Sequence, residues 1–338
     1  MEIQEILRKL TPTFGKALQE TILSLLPTEC DVKTSPLGNI MVRFPGESQE
    51  TILLDAHMDI VHFTVTSIIR EGFLKVAPCG GVDCRVLSGC EVTVWGITPL
   101  YGLFTIMPPH LTKASNSSAV AVEEHAIDIG LSFDKANKLV KPGDLVTFGH
   151  TFTQLSNKRI SSHGLDNLAG VAAFIALSHK LMQADLKNTI VLQFSNFEET
   201  GHRFAGGVTG AFSVTPQEAV VIDASFGITP SLQYATPGEI GEGVMIGVSP
   251  MLSKEVSLSL EKIAKDHNIP YTKEILGGTS GTNADGIVTA GGGIPTGLLS
   301  YPLLNMHTTV ETVSEKDLDS LVSLLELYCQ KGGSFNGK

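Results

Sequence analysis

The stretch Thr51–Asp59, TILLDAHMD, begins as an apolar, partly β-branched run and ends on a histidine and an aspartate. A Pro-Gly turn at 45–46 precedes it, and a run of this length after a turn signal predicts a buried strand. A second run, Thr189–Phe194, leads in the same way into a pair of glutamates. Open α/β sheets carry their functional groups beyond the carboxyl ends of such strands. The stretch therefore predicts an α/β sheet with a site at one edge.

Helical periodicity and apolar runs alternate on both sides of these two strands. The pattern predicts helices near the N-terminus, at 167–184, at 253–268 and from Ser314 onward, where Ser-Glu-Lys-Asp resembles a capping box. It predicts strands or buried runs at 39–44, 51–57, 189–194, 218–223, 271–276 and 294–301. Strands that alternate with helices form a sheet covered on both faces. We therefore expect a doubly wound α/β fold with a mixed sheet.

Residues 66–149 show a different sequence pattern. Short β-type runs at 66–70, 91–95, 101–106 and 144–148 lie between Gly and Pro turns, and one short helix is predicted at 132–139. This pattern is typical of a small all-β barrel. The sequence thus predicts a discontinuous main domain, formed by 1–65 and 150–338, and an inserted barrel domain at 66–149.

The bulk composition excludes several classes of function. The 338-residue chain has a net charge of −11, which disfavours nucleic acid and anionic membranes as partners because both attract basic surfaces. No apolar run approaches the ~20 residues that cross a bilayer, and the N-terminus lacks a secretory pattern. The five cysteines, at 30, 79, 84, 90 and 329, form no disulfide framework and no CxxC pair. We expect reduced thiols, with a zinc knuckle as the less favoured alternative, and a cytoplasmic location.

Residue types that bind metals lie in five segments, at the carboxyl ends of predicted strands or at the start of a predicted helix. They are His57 and Asp59 in the opening stretch, Asp166 before a helix, Glu198 and Glu199 after a strand, Asp223 at the end of a strand, and His307 after the last apolar run. Each signal is weak alone. Asp166 also fits a helix N-cap and Asp223 a turn, while the glutamate pair fits a solvated turn and each histidine a core or loop position.

Together these side chains form a ligand set for two metal ions. Two histidines, a bridging Asp166, one Glu and one further Asp supply each ion with a histidine and carboxylates. Nitrogen and oxygen donors without thiolate suit Zn²⁺, Co²⁺ or Mn²⁺, which lie about 3.5–4 Å apart in bridged sites. Asp59 is placed to hold the free ring nitrogen of His57. Glu198, the carboxylate left over, is the predicted general base.

Five motifs, in order along the chain, resemble those of the tetrahedral aminopeptidases, a family that includes glutamyl aminopeptidases and proteins labelled cellulase M. They are Asp55–Asp59, Leu165–Asn167, Glu198–Gly201, Ile222–Asp223 and Met306–Thr308. Further matches lie outside these motifs, at 102–111, 127–130 and 281–285. The resemblance therefore covers nearly the whole chain.

The resemblance implies a di-metal aminopeptidase that acts on short peptides. One ion would be held by His57, Asp166 and Asp223, and the other by Asp166, Glu199 and His307. Asp59 would orient His57, and Glu198 would carry a proton to the leaving amine. The inserted barrel would be a dimerisation domain, through which family members assemble into dimers and tetrahedral dodecamers.

The chain departs from the family pattern at three places. Asn167-Leu168 stand where the family usually has Asp-Arg, Leu304-Asn305 where it has Arg-Tyr, and Ile60 where it has Glu. The lost polar groups indicate a subfamily whose substrate anchoring differs. Two alternatives stay open: a catalytically weak, metal-binding peptide scaffold and, less favoured, an endoglucanase-type glycoside hydrolase. The latter uses two opposed carboxyl groups and would give the two histidines no role.

Overall fold

Helices pack on both faces of one large sheet. The computed structural model describes residues 1–106, 120–230, 232 and 236–334, so residues 107–111 of the match at 102–111 lie outside it. The eight α-helices of the described chain are α1 (Ile3–Leu10), α2 (Lys16–Leu25), α3 (Phe133–Leu139), α4 (Leu165–Leu181), α5 (Ala205–Val214), α6 (Lys254–Asp266), α7 (Asn283–Ile287) and α8 (Glu315–Lys331).

An eight-stranded mixed sheet forms the centre of the main domain. Its strands, in spatial order, are β1 (Asp31–Thr34), β2 (Ile40–Phe44), β12 (Thr189–Ser195), β3 (Thr51–His57), β13 (Glu218–Phe226), β16 (Thr296–Leu303), β14 (Val244–Val248) and β15 (Tyr271–Ile275). The central strands β12, β3, β13 and β16 are parallel, whereas β2 and β14 run antiparallel to β12 and β16. The four central strands therefore end at the same edge of the sheet.

Both faces of this sheet are buried. Successive side chains of a strand point to opposite faces. In β3, Leu54 belongs to a core formed with α4 and α8, while the adjacent Leu53 belongs to a second core formed with α5 and α7. The sequence prediction of a doubly wound fold with a mixed sheet is confirmed.

A closed six-stranded barrel follows β3 in the chain. Its strands are β4 (His62–Ile68), β5 (Leu74–Cys79), β6 (Glu91–Trp95), β7 (Pro99–Phe104), β8 (Ile127–Asp128) and β9 (Leu145–Phe148), and they pair antiparallel. Phe63 packs edge-to-face on Phe104 and Phe148, with ring centroids 5.1 and 5.4 Å away. The predicted barrel is confirmed. Its first strand begins ahead of the predicted boundary at 65/66, and the domain limits and dimerisation role stay predictions.

A small third sheet completes the fold near the site. It is formed by β10 (Thr153–Leu155), β11 (Arg159–Ser162) and β17 (Glu311–Ser314), with β11 in the middle. Sequence patterns did not predict it, because its strands are too short to show a period. It brings Glu311 beside the start of α4, where the Asp166 backbone N–H donates to the Glu311 carboxylate at 3.2 Å.

The sequence missed α5 because its residues are poor helix formers. The segment AGGVTGAFSV has three glycines, each of which disfavours an isolated helix by about 1 kcal/mol relative to alanine. A Cβ added to Gly206 would lie 1.9 Å from the Asn196 carbonyl oxygen, and one on Gly210 would lie 1.7 Å from Gln193 Oε1. These glycines let α5 approach β12, which is a tertiary requirement that periodicity does not reveal.

The predicted capping box at Ser314 is wrong in its second half. Ser314 does cap α8, since its hydroxyl accepts from the Lys316 N–H at 3.3 Å. The Asp317 carboxylate does not return to Ser314. It accepts instead from the backbone N–H groups of Gly241 and Gly243, both at 2.7 Å, and so ties α8 to the segment before β14.

All five cysteines are free, as their spacing predicted. Among the described residues, none of the side-chain groups that could hold a metal includes a cysteine, so the alternative of a zinc knuckle has no support there. No helix in the described ranges has the length and apolar character needed to cross a membrane. The cytoplasmic location stays a prediction.

Truncation of Phe194 is expected to destabilise the fold strongly. Phe194 is fully buried on β12 and packs edge-to-face on Phe174, with ring centroids 5.8 Å apart. Phe194→Ala should lower the free energy of unfolding by about 3–5 kcal/mol in urea denaturation. The matched change Phe212→Ala removes a ring that is 66% exposed and should cost less than about 0.5 kcal/mol. Equal losses of unfolding free energy in the two variants would show that Phe194 does not make this core contact.

Candidate functional site

A cavity of about 310 Å³ lies beyond the carboxyl ends of the central parallel strands. β3 ends on His57, β12 leads into Glu198 and Glu199, and β13 carries Asp223 near its end. His307 follows β16, and Asp166 lies at the start of α4. The structure thus brings all six of these sequence-predicted side chains to the cavity wall, although they come from five separate segments.

His57, Asp166 and Asp223 form the first half of the site. His57 Nε2 lies 3.3 Å from Asp166 Oδ1 and 3.4 Å from Asp223 Oδ1. All three side chains are buried, and their ligand atoms lie within 4.8 Å of one another. One imidazole nitrogen and two carboxylate oxygens at this spacing could enclose a single cation.

His307, Glu199 and Asp166 form the second half. His307 Nε2 lies 2.9 Å from Glu199 Oε1 and 3.6 Å from Asp166 Oδ2. Asp166 therefore turns one carboxylate oxygen toward each histidine. Its backbone is extended (φ −84°, ψ 102°) rather than helical, and its peptide bond to Asn167 is cis.

Glu198 lies beside both halves. It lines the cavity and belongs to a third group of close ligand atoms, with His57 and Glu199. Burial and the neighbouring carboxylates raise the pKa of Glu198 to about 9, and burial likewise raises the pKa of Asp223 to about 7. Burial opposes the charge of His307, but its contacts with Asp166 and Glu199 raise its pKa to about 11. Burial and mutual repulsion thus disfavour the ionised forms of Glu198 and Asp223, which a cation would stabilise.

Asp59 lies where the sequence predicted, but its contacts differ. The His57 ring does not bond to the Asp59 carboxylate, which is 3.7 Å away; Nδ1 donates to the Asp59 backbone carbonyl at 2.9 Å. The carboxylate instead accepts from the backbone N–H groups of Glu198, Glu199 and Thr200 at 3.0, 3.2 and 3.2 Å, and from the Thr200 hydroxyl. Asp59 therefore fixes the turn that carries both glutamates.

Replacement of Asp59 by asparagine is expected to weaken the site without unfolding the chain. In the wild type, the backbone N–H donors of this turn share the two oxygens of the carboxylate. An amide replaces one of these oxygens by an NH₂ group, which cannot accept a hydrogen bond, so the Glu198–Glu199 turn should shift. Asp59→Asn should lower kcat/KM and metal affinity about 10–100-fold. The exposed control Asp185→Asn should match the wild type. Unchanged metal affinity in titration calorimetry would show that Asp59 does not position this turn.

Two further positioning groups were not recognised from the sequence. Glu311 accepts from the backbone N–H groups of both Asp166, at 3.2 Å, and His307, at 2.7 Å. The Gly81 carbonyl, on the loop that leaves the barrel strand β5, accepts from His307 Nδ1 at 2.8 Å. Glu311 stands four residues after His307, a spacing that could have drawn attention to it. No sequence signal marks Gly81. Its contact with His307 shows that the loop after the barrel strand β5 contributes directly to the site.

Two of the departures from the family pattern are spatial neighbours. A Cβ built on Gly164 would lie 3.2 Å from Ile60 Cγ2 and 3.5 Å from Leu168 Cδ1, and both side chains are buried in the same core. An apolar pair thus stands where the resemblance leads one to expect a glutamate and an arginine. Asn167 is also accommodated, because its amide donates to the Ile222 carbonyl and accepts from the Tyr301 hydroxyl.

Comparison with known proteins assigns the family. The family model of the M42 glutamyl aminopeptidases matches residues 38–324, which is most of the chain. The chain belongs to the M42 glutamyl aminopeptidase family. This confirms the resemblance that its motifs indicated, and it shows the chain to be an aminopeptidase.

Similar aminopeptidases and peptidases agree with the assignment. The lysyl aminopeptidase of Pyrococcus furiosus is 26% identical over 320 residues, 93% of this chain and 91% of the relative. The TET1 peptidase of Pyrococcus horikoshii, described as assembling into a tetrahedron or a large octahedral shell, is 31% identical, with a TM-score of 0.86 over 97% of this chain and 99% of that one. An aminopeptidase of Desulfurococcus kamchatkensis is 25% identical, with a TM-score of 0.91 over 98% and 95%.

Proposed function

We propose that this M42 aminopeptidase hydrolyses the N-terminal residue of short peptides with two divalent metal ions bridged by Asp166. The observation that carries the proposal is the position of that carboxylate. Its two oxygens face two separate histidine-carboxylate groups, with His57 at 3.3 Å and His307 at 3.6 Å. A glycoside hydrolase would have no use for this symmetry.

The residues present fit two divalent ions. Asp166 Oδ1 is buried and, within the described chain, has no hydrogen-bond partner, as expected for an oxygen reserved for a cation. His57, Asp166 and Asp223 would hold one ion, and Asp166, Glu199 and His307 the other. The donors are nitrogen and oxygen only, which suits Zn²⁺, Co²⁺ or Mn²⁺.

The proposed chemistry assigns the proton transfers to Glu198. When bound, the two ions would polarise the scissile carbonyl and acidify the attacking water. Glu198 accepts a proton from that water as its oxygen bonds to the carbonyl carbon. It then delivers the proton to the leaving amine as the C–N bond breaks. Asp59 keeps Glu198 aimed at the cavity through the turn that it holds.

The charge of the cavity supports action at a free amino terminus. Asp223, Glu198 and Glu199 place three carboxyl groups around a space of about 310 Å³, at the small end of typical ligand pockets. A positively charged α-amino group is attracted to such a wall, whereas an acetylated terminus is not. The decisive assay compares aminoacyl reporters with N-acetylated peptides, with and without added Zn²⁺, Co²⁺ or Mn²⁺. Cleavage of the blocked peptide would refute exopeptidase action, and bound metal without any turnover would favour a scaffold.

We also propose that the chain self-associates through its barrel, as a dimer or a dodecamer. The TET1 relative can assemble into a tetrahedron or a large octahedral shell, and the barrel here exposes large apolar side chains: Ile97 is 72%, Tyr101 60% and Ile106 64% exposed. Exposed apolar groups of this size favour an interface. Ile97→Asp is expected to shift the mass measured by analytical ultracentrifugation toward the monomer, while Leu23→Asp, on α2, should not. A wild-type monomer at micromolar concentration would contradict the proposal.

A further inference from the structure

Strand β3 carries a buried carboxylate that the proposed chemistry does not use. Asp55 is fully buried, two residues before His57. Its Oδ1 accepts from Gln193 Nε2 and its Oδ2 from Asn283 Nδ2, both at 2.7 Å. The same Asn283 nitrogen donates to the Ser195 hydroxyl at 2.9 Å. Because a buried carboxylate needs hydrogen-bond donors, the two amides and Asp55 form one unit.

The two amides connect Asp55 to different parts of the fold. Gln193 is the register partner of Asp55 on the neighbouring strand β12, so that bond lies within the sheet. Asn283 begins α7, which the chain reaches only after β15, the strand at the far edge of the sheet. The Asp55–Asn283 bond joins residues 228 positions apart. It therefore ties the segment that returns from the sheet edge to a central strand.

This returning segment, residues 277–282, forms part of the cavity wall, and we call it the wall segment. Ser280, Gly281 and Thr282 line the same cavity as the proposed metal ligands. Near the start of the segment, the Ser249 hydroxyl donates to the Gly278 carbonyl at 2.6 Å. Directly after its end comes the buried side chain of Asn283. The wall segment is thus held near both ends.

A second carboxylate joins the wall segment to α7 but not to the sheet. Asp285 accepts from the backbone N–H groups of Ser280 and Gly281, at 2.8 and 2.9 Å, and from the Ser280 hydroxyl at 2.9 Å. Within the described chain, a Cβ added to Gly277 or Gly281 would meet no atom within 4 Å, so close packing does not hold these positions. The position of the wall segment relative to β3 therefore depends on Asn283.

The space around Asn283 is narrow. A Cβ built on Gly207 of α5 would lie 2.7 Å from Asn283 Cγ, so the helix lies directly against the amide. A larger side chain would not fit there. Aspartate has the same shape as asparagine but lacks the N–H donors, so it changes the bond without changing the packing.

We propose that Asn283 is a positioning residue, whose bond to Asp55 holds the wall segment where substrate binding requires it. The proposal deepens the proposed aminopeptidase function and rests on it. Neither Asp55 nor Asn283 lines the cavity, so both act through the wall segment. Loss of the bond should weaken substrate binding while the proposed metal ligands keep their places.

The first test removes the bond and then restores it in the reverse direction. Asn283→Asp removes the donor and places two carboxylates opposite each other. For the aminoacyl p-nitroanilide that the wild type cleaves best, KM should rise at least about tenfold while kcat stays within about threefold. Metal content should not change. Adding Asp55→Asn supplies a donor from the other side, so KM should return to within about threefold of the wild type.

The matched control is Asn188→Ala, which also removes a buried asparagine. Asn188 donates to the Gly332 carbonyl at 3.0 Å and directly precedes β12, at the opposite end of that strand from the cavity. The change should lower stability but leave KM at the wild-type value. An unchanged KM in Asn283→Asp, a rise that Asp55→Asn does not reverse, or an equal rise in Asn188→Ala would overturn the proposal. If Asn283→Asp does not fold alone, Asn283→Ala supplies the single variant.

Limited proteolysis separates this proposal from the catalytic one. Subtilisin cleavage within residues 277–282, mapped by mass spectrometry, requires no turnover of a peptide substrate. Cleavage should be at least about tenfold faster in Asn283→Asp than in the wild type or the double variant. If the wild type cleaves no reporter but proteolysis shows this pattern, the catalytic proposal fails while the role of Asn283 stands. If reporters are cleaved but all three proteins are cut equally fast, the role of Asn283 fails.

Discussion

Glu198→Gln is expected to lower kcat about 10²–10⁴-fold while metal binding persists. The amide keeps the size of the side chain but accepts no proton at neutral pH. Glu198 is not needed in either proposed ligand set, so both ions should bind as in the wild type. Steady-state assays on an aminoacyl reporter measure the rate, and metal analysis after gel filtration measures the stoichiometry.

The control for this change is Glu123→Gln, which replaces an exposed glutamate of the barrel segment and should leave kcat within about twofold of the wild type. A full rate in Glu198→Gln would show that another group takes the proton. A lost rate together with lost metal would instead make Glu198 a ligand. Only a lost rate with retained metal agrees with the proposed role.

Asp166→Ala should abolish activity by removing the shared ligand. Both proposed ions depend on this carboxylate, and its loss leaves His57 and His307 without a common partner. We expect at least about a 10³-fold loss of kcat/KM, and a metal content that falls from two ions to one or none. Chelation of the wild type should have the same effect, and added Zn²⁺ or Co²⁺ should reverse it. The residual rate should equal that of the chelated enzyme.

The matched control for Asp166 is Asp134→Ala, because Asp134 is exposed in the first turn of α3. It should retain both ions and full activity. Retained activity in Asp166→Ala, or in the wild type after complete chelation, would contradict a bridged two-metal site. Chelator-insensitive cleavage of a glycan would revive the glycoside hydrolase alternative.

The sequence predicted those parts of the fold whose pattern is local. The run that ends at His57 is a strand with the predicted bounds, and the alternation after residue 150 produced the doubly wound sheet. Helix α5 escaped prediction because Gly206 and Gly210 are selected by contact with β12 rather than by helix propensity. The local sequence pattern was therefore sufficient to predict the strand that ends at His57. Helix α5, whose residues disfavour a helix, depends on close packing that the local pattern does not show.

The candidate site likewise combines features that the sequence predicts with features that it does not. The six predicted ligand and base side chains that line the cavity were recognisable because each lies at the end of a predicted strand or the start of a predicted helix and bears a metal-type ligand. The contact between Gly81, after the barrel strand β5, and His307, after the sheet strand β16, leaves no trace in the sequence. The Asp59 carboxylate was assigned to the His57 ring because the two are close in sequence, but it bonds to the distant Glu198–Thr200 turn. Proximity along the chain is thus a poor guide to which atom of a residue makes the contact.

The structure also gives a physical reason for the departures from the family pattern at Ile60 and Leu168. Separately, each removes a charged group that the family pattern would supply. In the structure they border the same glycine, Gly164, within one apolar core, so the two changes preserve packing together. The proposed ligands are untouched by this exchange.

Anomalous diffraction from crystals grown with Zn²⁺ tests the bridged site most directly. Data collected on both sides of the zinc absorption edge should show two peaks about 3.5–4 Å apart, on either side of the Asp166 carboxylate. One peak should contact His57 and Asp223, and the other Glu199 and His307. A single peak, or two peaks that do not share Asp166, would contradict the two-metal proposal.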